Sequence, residues 1–240
     1  MTQITSFEKS LPIFKEIQKL TNTVILRYPE TVAISESGDV LLYVNFKGIG
    51  ESEFEAIPLM DSLSSFTSVL ELFGKDRVMD MDGSKITLSD GGSLKSTFIT
   101  DNIVLMDDFD RSPKAFESTS GVPSVAEFEL PIDDIKTLRK GTGVFKELTD
   151  LIVSCKDGDV SLSLGAVSSF NAGSNTFSKL YAGKGTKDFS IAIPVTNFGL
   201  IPLSDYNFMV KYNSAQNAYR IYLECSTLDS DLKIIMSIKI

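Results

Sequence analysis

The second half of this chain repeats the pattern of its first. Ser37-Gly38-Asp39-Val40, opening an alternating stretch, recurs as Asp157-Gly158-Asp159-Val160, 120 residues later in a chain of 240. Ala56-Ile57-Pro58, ahead of a short amphipathic run, recurs as Ala192-Ile193-Pro194. Leu94-Lys95 opens the last strand expected in the first half, and Leu232-Lys233 opens the last strand of the second. Each half also begins with a helix-like segment carrying lysine or arginine. Matches in the same order suggest a duplicated domain, with two cores of about 120 residues each, the common domain size. A duplicated α+β unit can be built into a closed ring.

Hydrophobic residues make up 42% of the chain and charged residues 23%. That balance suits a globular protein and argues against wholesale disorder. Met1-Thr2-Gln3-Ile4-Thr5 lacks a basic region followed by an apolar one, so no signal peptide is expected. The most apolar stretch, Phe189 to Leu203, is interrupted by Pro194 and Pro202 and is too short to span a bilayer. The sequence therefore reads as soluble and intracellular, with no membrane partner.

Histidine is absent. Its absence removes imidazole bases, most zinc sites and the usual catalytic triads together. A carboxylate- or lysine-based enzyme is left, but no pair of acids stands apart from the many others, so no catalytic residue is assigned. Cys155 and Cys225 form no CxxC pair and both fall in expected strands, which suits small buried thiols. The net charge is −9. Averaged over the surface, such a charge repels nucleic acid, so the placement of the cations decides whether a phosphate backbone can bind.

Apolar periodicity predicts a helix over 7–21, from Phe7, Leu11 and Phe14 widened by Ile13, Ile17 and Leu20. Ser6 is the expected cap, with Lys9 where a capping box would need an acid, and Pro12 is placed to mark the first turn. Strands are expected at 23–28, 31–36 and 39–46, the last two joined at Ser37-Gly38. Leu59, Leu63, Phe66, Val69, Leu70 and Phe73 predict a second helix over 58–73, stopped by Gly74. Strands at 76–81, 85–89 and 94–100 follow, with turns at Asp82-Gly83 and Gly91-Gly92. The polar, turn-rich segment from 101 to 124 reads as a connector that lays Val104-Leu105-Met106, Phe109 and Phe116 against a surface. The second half predicts a helix over 131–140 ending at Gly141, strands at 149–155, 159–166 and 175–182, and a helical turn at 194–201. Its last strands are expected at 206–212, 218–225 and 232–239. The expected fold is α+β: a duplicated domain with two helices packed on antiparallel sheet in each copy. The domains are set at 1–105 and 125–240, with the connector at 106–124.

Three motif-like stretches fail on their missing parts. Asp80-Met81-Asp82-Gly83 resembles the start of a calcium loop but lacks the later ligands and the closing glutamate. Ala182-Gly183-Lys184-Gly185-Thr186 lacks the first glycine of a phosphate loop, and Gly185 stands where serine or threonine is needed. Gly48-Ile49-Gly50 has no third glycine and no parallel β-α unit around it. No metal and no cofactor is expected. The cations on the helices carry more information. Lys15 and Lys19 are spaced i, i+4 in the first helix; Lys136, Arg139 and Lys140 are spaced i, i+3, i+4 in the corresponding helix of the second half.

The order helix, hairpin, helix, three-stranded meander, occurring twice around a connector, resembles the DNA polymerase sliding clamps. The likeness is strongest to the two-domain clamps of T-even-type bacteriophages and fainter to proliferating cell nuclear antigen. It is carried by Ala192-Ile193-Pro194-Val195-Thr196-Asn197-Phe198 running on to Tyr206, by Tyr219 to Cys225, and by the closing Leu232 to Ile240. The resemblance implies a non-enzymatic homotrimer, a ring of six domains with helices lining the hole, that tethers a replicative polymerase to duplex DNA. The residues matching the DNA-facing role are Lys15, Lys19, Lys136, Arg139 and Lys140. Phosphate contacts of that kind attract without reading sequence and are weakened by salt. The strands at 94–100 of one subunit and 175–182 of the next would pair at the joints. Partner proteins, the polymerase and a clamp loader, would insert a peptide at Val104, Leu105, Met106, Tyr219 and Ile221. The expected location is the replisome in an infected host cell.

Two rival readings fit the same residues. One is a monomeric, ringless polymerase accessory factor of the same fold, holding DNA on a basic face. The other is a structural or ligand-binding β-rich protein whose basic faces are merely solvated.

Overall fold

The computed structural model of the chain describes residues 2–4, 7–47, 56–73, 78–90, 92–165, 177–227 and 229–238. The chain forms two compact units, Met1–Pro113 with Ser226–Leu232, and Lys114–Cys225 with Lys233–Ile240.

In the first unit the elements run β1 (Thr2–Ile4), α1 (Phe7–Leu20), β2 (Val24–Leu26), β3 (Glu30–Ile34), β4 (Val40–Phe46) and β5 (Ile57–Leu59). They continue with α2 (Leu63–Leu72), β6 (Val78–Asp82), β7 (Lys85–Ser89), β8 (Lys95–Ile99) and a 3-10 segment, Ile103–Phe109. β1-β6-β7-β8 form one antiparallel sheet; β3 pairs with β4, and β2 with β5. Every residue of β2 and β5 is buried, so both read as unbroken apolar runs rather than alternating ones. α1 buries Phe14, Ile17 and Leu20, and α2 buries Leu63, Phe66 and Leu70. The Phe14 ring lies 6.0 Å from that of Phe46 on β4 and 6.4 Å from that of Phe66, which sits 5.3 Å from Phe98 on β8. Both helices thus cover the strands through one aromatic cluster.

The second unit begins with α3 (Lys114–Ser120) and β9 (Ser124–Leu130), then α4 (Ile132–Val144), β10 (Asp150–Lys156), β11 (Asp159–Gly165), β12 (Phe177–Tyr181) and β13 (Phe189–Pro194). It continues with α5 (Val195–Leu200), β14 (Tyr206–Asn213), β15 (Ala218–Ser226) and β16 (Ser230–Met236), of which Ser226 and Ser230–Leu232 group with the first unit. One sheet has the order β12-β11-β10-β13; in the other, β9, β14, β15 and β16 are successive neighbours. Phe128 stacks on Phe208 at 4.8 Å and on Tyr181 at 4.2 Å, and α4 buries Ile135 and Leu138.

The two element orders match term by term. β1 pairs with β6 as β9 pairs with β14, and β2 pairs with β5 as β10 pairs with β13. Ala56-Ile57-Pro58 and Ala192-Ile193-Pro194 fall on equivalent strands, as do Leu94-Lys95 and Leu232-Lys233. The Ser37-Gly38 match does not: it joins β3 to β4, whereas Asp157-Gly158 joins β10 to β11, one hairpin earlier in the repeat. That likeness is turn chemistry, since Gly38 and Gly158 have φ of 77° and 88°, open to glycine at no steric cost.

Other expectations are corrected by the backbone. Pro12 lies inside α1, where its ring is on the exposed side. The helix expected from Pro58 starts at Leu63, because Pro58 pairs with Ile25 in a strand that offers it a place without a ladder donor. α4 continues through Gly141 and Gly143 to Val144, with Gly141 buried. β1, β5, β9 and β13 had no counterpart in the periodicity. The Ser6 cap, Gly48-Ile49-Gly50, the stop at Gly74, Gly91 and the start of the strand expected at 175–182 lie outside the described residues. Among the described residues no helix is long and apolar enough to cross a membrane.

Candidate nucleic-acid interface

α1 and α2 lie together, joined by Thr67 Oγ1, which donates to Gln18 Oε1 at 3.0 Å. The outer side of this pair carries Lys15 and Lys19, each about half exposed. Neither cation stands alone. Lys15 pairs with Glu71 on α2, and Lys19 Nζ donates to Glu16 Oε1 at 2.6 Å, one turn back on α1.

In the second unit the three predicted cations part company. Lys136 is exposed and pairs with Asp133 at 3.2 Å. Lys140 is exposed and makes no ion pair among the described residues. Arg139 is half-buried: its Nη2 donates to the carbonyl oxygens of Phe198, at 3.1 Å, and Ile201, and the guanidinium lies 6.0 Å over the Phe198 ring. Arg139 is thus committed to the end of α5, whose last carbonyls have no intrahelical partner. The (i, i+3) spacing from Lys136 put it on the same face, but a residue nearer the apolar side of a helix is drawn inward when a neighbouring helix end offers acceptors.

The residues expected at a peptide pocket also divide. Val104 and Leu105 are 68% and 73% exposed, whereas Met106 and Ile221 are fully buried core side chains. The 3-10 segment is capped by Asn102, whose Oδ1 accepts from Val104 N at 3.0 Å, and its far end is held by the two-pronged Arg27–Asp110 pair at 2.7 and 3.2 Å. Tyr219 is half-buried, 4.7 Å from Tyr212, and Lys187 Nζ sits 3.5 Å over the Tyr212 ring. α3 is tied down separately: buried Lys211 donates to Ser120 O at 3.2 Å, at the helix C-terminus where a cation is favourable.

The outermost strands β8 and β12 each leave one side unpaired among the described residues. Ile99 on β8 and Leu180 on β12 are both 62% exposed. The β12 edge is braced from behind. Asp134, in the first turn of α4, accepts from Lys179 at 2.6 Å and from the Tyr181 hydroxyl at 2.9 Å. Burial, then the Asp134 charge, pushes the Tyr181 hydroxyl well above the ordinary tyrosine value. Nothing in the spacing of the sequence flagged this bracket, because Asp134 and its partners are more than forty residues apart. The loop 182–188, read as failing the phosphate motif, lies along β9 instead: Glu127 N donates to Lys184 O at 3.0 Å and Thr186 N to Val125 O at 2.8 Å. The Asp80–Gly83 stretch is the β6–β7 hairpin, and no group of three or more metal-ligating side chains occurs among the described residues.

No family model and no curated protein matches the chain. Solved structures do. A structure of the C-terminal region of FEN-1 bound to A. fulgidus PCNA matches with a TM-score of 0.66 and 8% identity, over 100% of this chain and 99% of that one. Proliferating cellular nuclear antigen from Entamoeba histolytica matches with a TM-score of 0.66 and 11% identity, over 100% and 98%. A putative DNA polymerase III beta subunit from Eubacterium rectale matches with a TM-score of 0.66 and 12% identity, over 100% of this chain and 65% of that one. At these identities the likeness is one of fold: helices packed on antiparallel sheets in the arrangement of the clamp proteins.

Proposed function

We propose that this chain is a sliding clamp: a non-enzymatic ring that encircles duplex DNA and tethers a replicative polymerase. The observation that carries the reading is the clamp fold over the whole chain, in two units of the same element order. Three copies would close a ring of six such units, β8 of one subunit pairing with β12 of the next. Pairing would remove two edges that otherwise invite uncontrolled strand addition. Lys15, Lys19, Lys136 and Lys140 would face the phosphates, with Arg139 supporting that layer by holding α5. Such contacts attract DNA at every register and let it slide. Retention would be topological, while each contact stays weak enough to exchange.

Val104 and Leu105, the exposed apolar pair on the 3-10 segment, are the proposed anchors for peptides of the polymerase and of a clamp loader, whereas buried Met106 and Ile221 would act only as core side chains. The likeness to T-even-type phage clamps proposes an infected cell's replisome as the setting.

Light scattering after size exclusion tests the assembly. The expected species is about 79 kDa, three times the 26.3 kDa chain. A strict monomer at tens of micromolar that binds linear DNA would instead favour the ringless accessory factor.

A further inference from the structure

The lysines proposed to face DNA are almost all matched by carboxylates within the same helix layer. Lys15 is paired with Glu71, Lys19 with Glu16 and Lys136 with Asp133, leaving Lys140 as the unmatched cation. For α1 and α2, the described side chains therefore set two cations against two anions. The arrangement recurs in both units, although the sequence around each pair differs. The Glu16 pair is also more than a passing surface contact. Its second oxygen, Oε2, is out of reach of solvent and has no hydrogen-bond partner among the described residues. The carboxylate is thus partly desolvated and leans on Lys19 through its other oxygen.

Surface ion pairs of this kind add little to folding. Their consequence lies in the field they present. A carboxylate 2.6 Å from Lys19 Nζ is far inside the screening length of about 10 Å at 0.1 M salt, so an approaching phosphate feels both charges. It must displace the carboxylate or share the lysine with it. A lysine already neutralised within the protein contributes little to counterion release, the main source of affinity in non-specific binding.

We infer that Glu16 and Glu71, with Asp133 as their counterpart in the second unit, are specificity-setting residues that hold the attraction of the helix layer for duplex DNA deliberately low. A face of this kind would let the chain glide on the duplex and would leave retention to ring closure. This rests on the proposed DNA-facing role of α1 and α4.

The test is the affinity of the intact protein for a labelled linear duplex, by fluorescence anisotropy across a salt series. The E16Q/E71Q variant keeps both side-chain shapes. The control, E36Q, makes a like-signed charge change at an exposed position on the β3–β4 turn. With Lys15 and Lys19 freed from their carboxylates to meet two further phosphates per chain, E16Q/E71Q should bind more tightly at low salt. Its log–log salt slope should steepen by about two, roughly a tenfold larger loss of affinity over a fourfold rise in salt. E36Q should follow the parent protein. If E36Q tightens binding as much, net charge and not pairing is responsible, and the inference falls. If E16Q/E71Q behaves as the parent while K15A/K19A weakens binding, the carboxylates do not attenuate and the inference falls alone. If K15A/K19A also leaves binding and its salt slope unchanged, α1 does not meet DNA, and the functional reading of that face falls with it.

Discussion

Tyr222 is 1% exposed, and its hydroxyl has no hydrogen-bond partner among the described residues. Burial pushes that hydroxyl up to about 12, with the Glu224 charge adding to the shift. A raised folded-state value means that the unfolded chain gives up this proton first. Stability is therefore intact below pH 10, the ordinary tyrosine value, and falls as pH rises from there towards about 12. Tyr28 and Tyr181, whose hydroxyls are also raised by burial, act in the same direction. Replacing Tyr222 by Phe removes an unsatisfied polar atom without opening a cavity. Y222F should match or exceed the parent in stability by up to about 1 kcal/mol and should lose less of it above pH 10. Urea midpoints between neutral and alkaline pH check both parts; a large loss at neutral pH would mean that the hydroxyl has a partner after all. Gly185 supplies a second case. A Cβ there would run into the buried Cys155 Sγ, whereas a Cβ on Gly165 meets only the tip of Ile152, at 2.6 Å. G185A should cost about 1–3 kcal/mol by overpacking and G165A distinctly less, because an isoleucine tip can turn aside. The order of their denaturation midpoints decides the matter.

Arg139 shows what an element asks of a residue that sequence pattern assigns elsewhere. α5 has six residues, too few to be stable by itself, and its carbonyl end is held by one guanidinium. R139A should therefore lower stability by about 1–3 kcal/mol by leaving those acceptors unpaired, while K136A and K140A should leave the melting temperature within error. Equal effects from all three would place Arg139 on the solvent face with the lysines. The same contrast explains which elements were legible. α1 announced itself because Phe14, Ile17 and Leu20 recur at helical spacing on a half-exposed helix. β2 lies within the strand expected at 23–28, whereas β5, buried throughout, shows no alternation, and Pro58 read as a helix start because pattern alone cannot see its partner Ile25. β9 was hidden by the polar segment before it. α4 outran its expected stop because a buried glycine packs as well as it punctuates.

At the scale of the whole molecule, the duplicated order could be read from the Ala-Ile-Pro and Leu-Lys matches, although the Ser37-Gly38 turn and the start of α2 fell out of step with it. The pairing of Lys15, Lys19 and Lys136 with carboxylates could not be read, except where the two are a helical turn apart: Lys19 with Glu16 and Lys136 with Asp133. The Lys15–Glu71 pair joins two helices and needs the fold to be seen. At the sheet edges, β8 and β12 have five described residues each. Strands that short supply few ladder bonds, so the pairing of copies would depend on side chains that become buried with it, chiefly Ile99 and Leu180. Charge at either place costs little in the isolated subunit, because both are 62% exposed there, but it would be stranded without a partner in a closed joint. L180D and I99D should each reduce the solution mass to that of the 26.3 kDa chain while leaving the far-ultraviolet circular dichroism unchanged. D134A should act the same way more weakly, since it frees Lys179 and Tyr181 from the bracket that fixes the β12 edge. An oligomer that survives L180D and I99D unaltered would have to be built through some other surface, and the ring as drawn from β8 and β12 would be wrong.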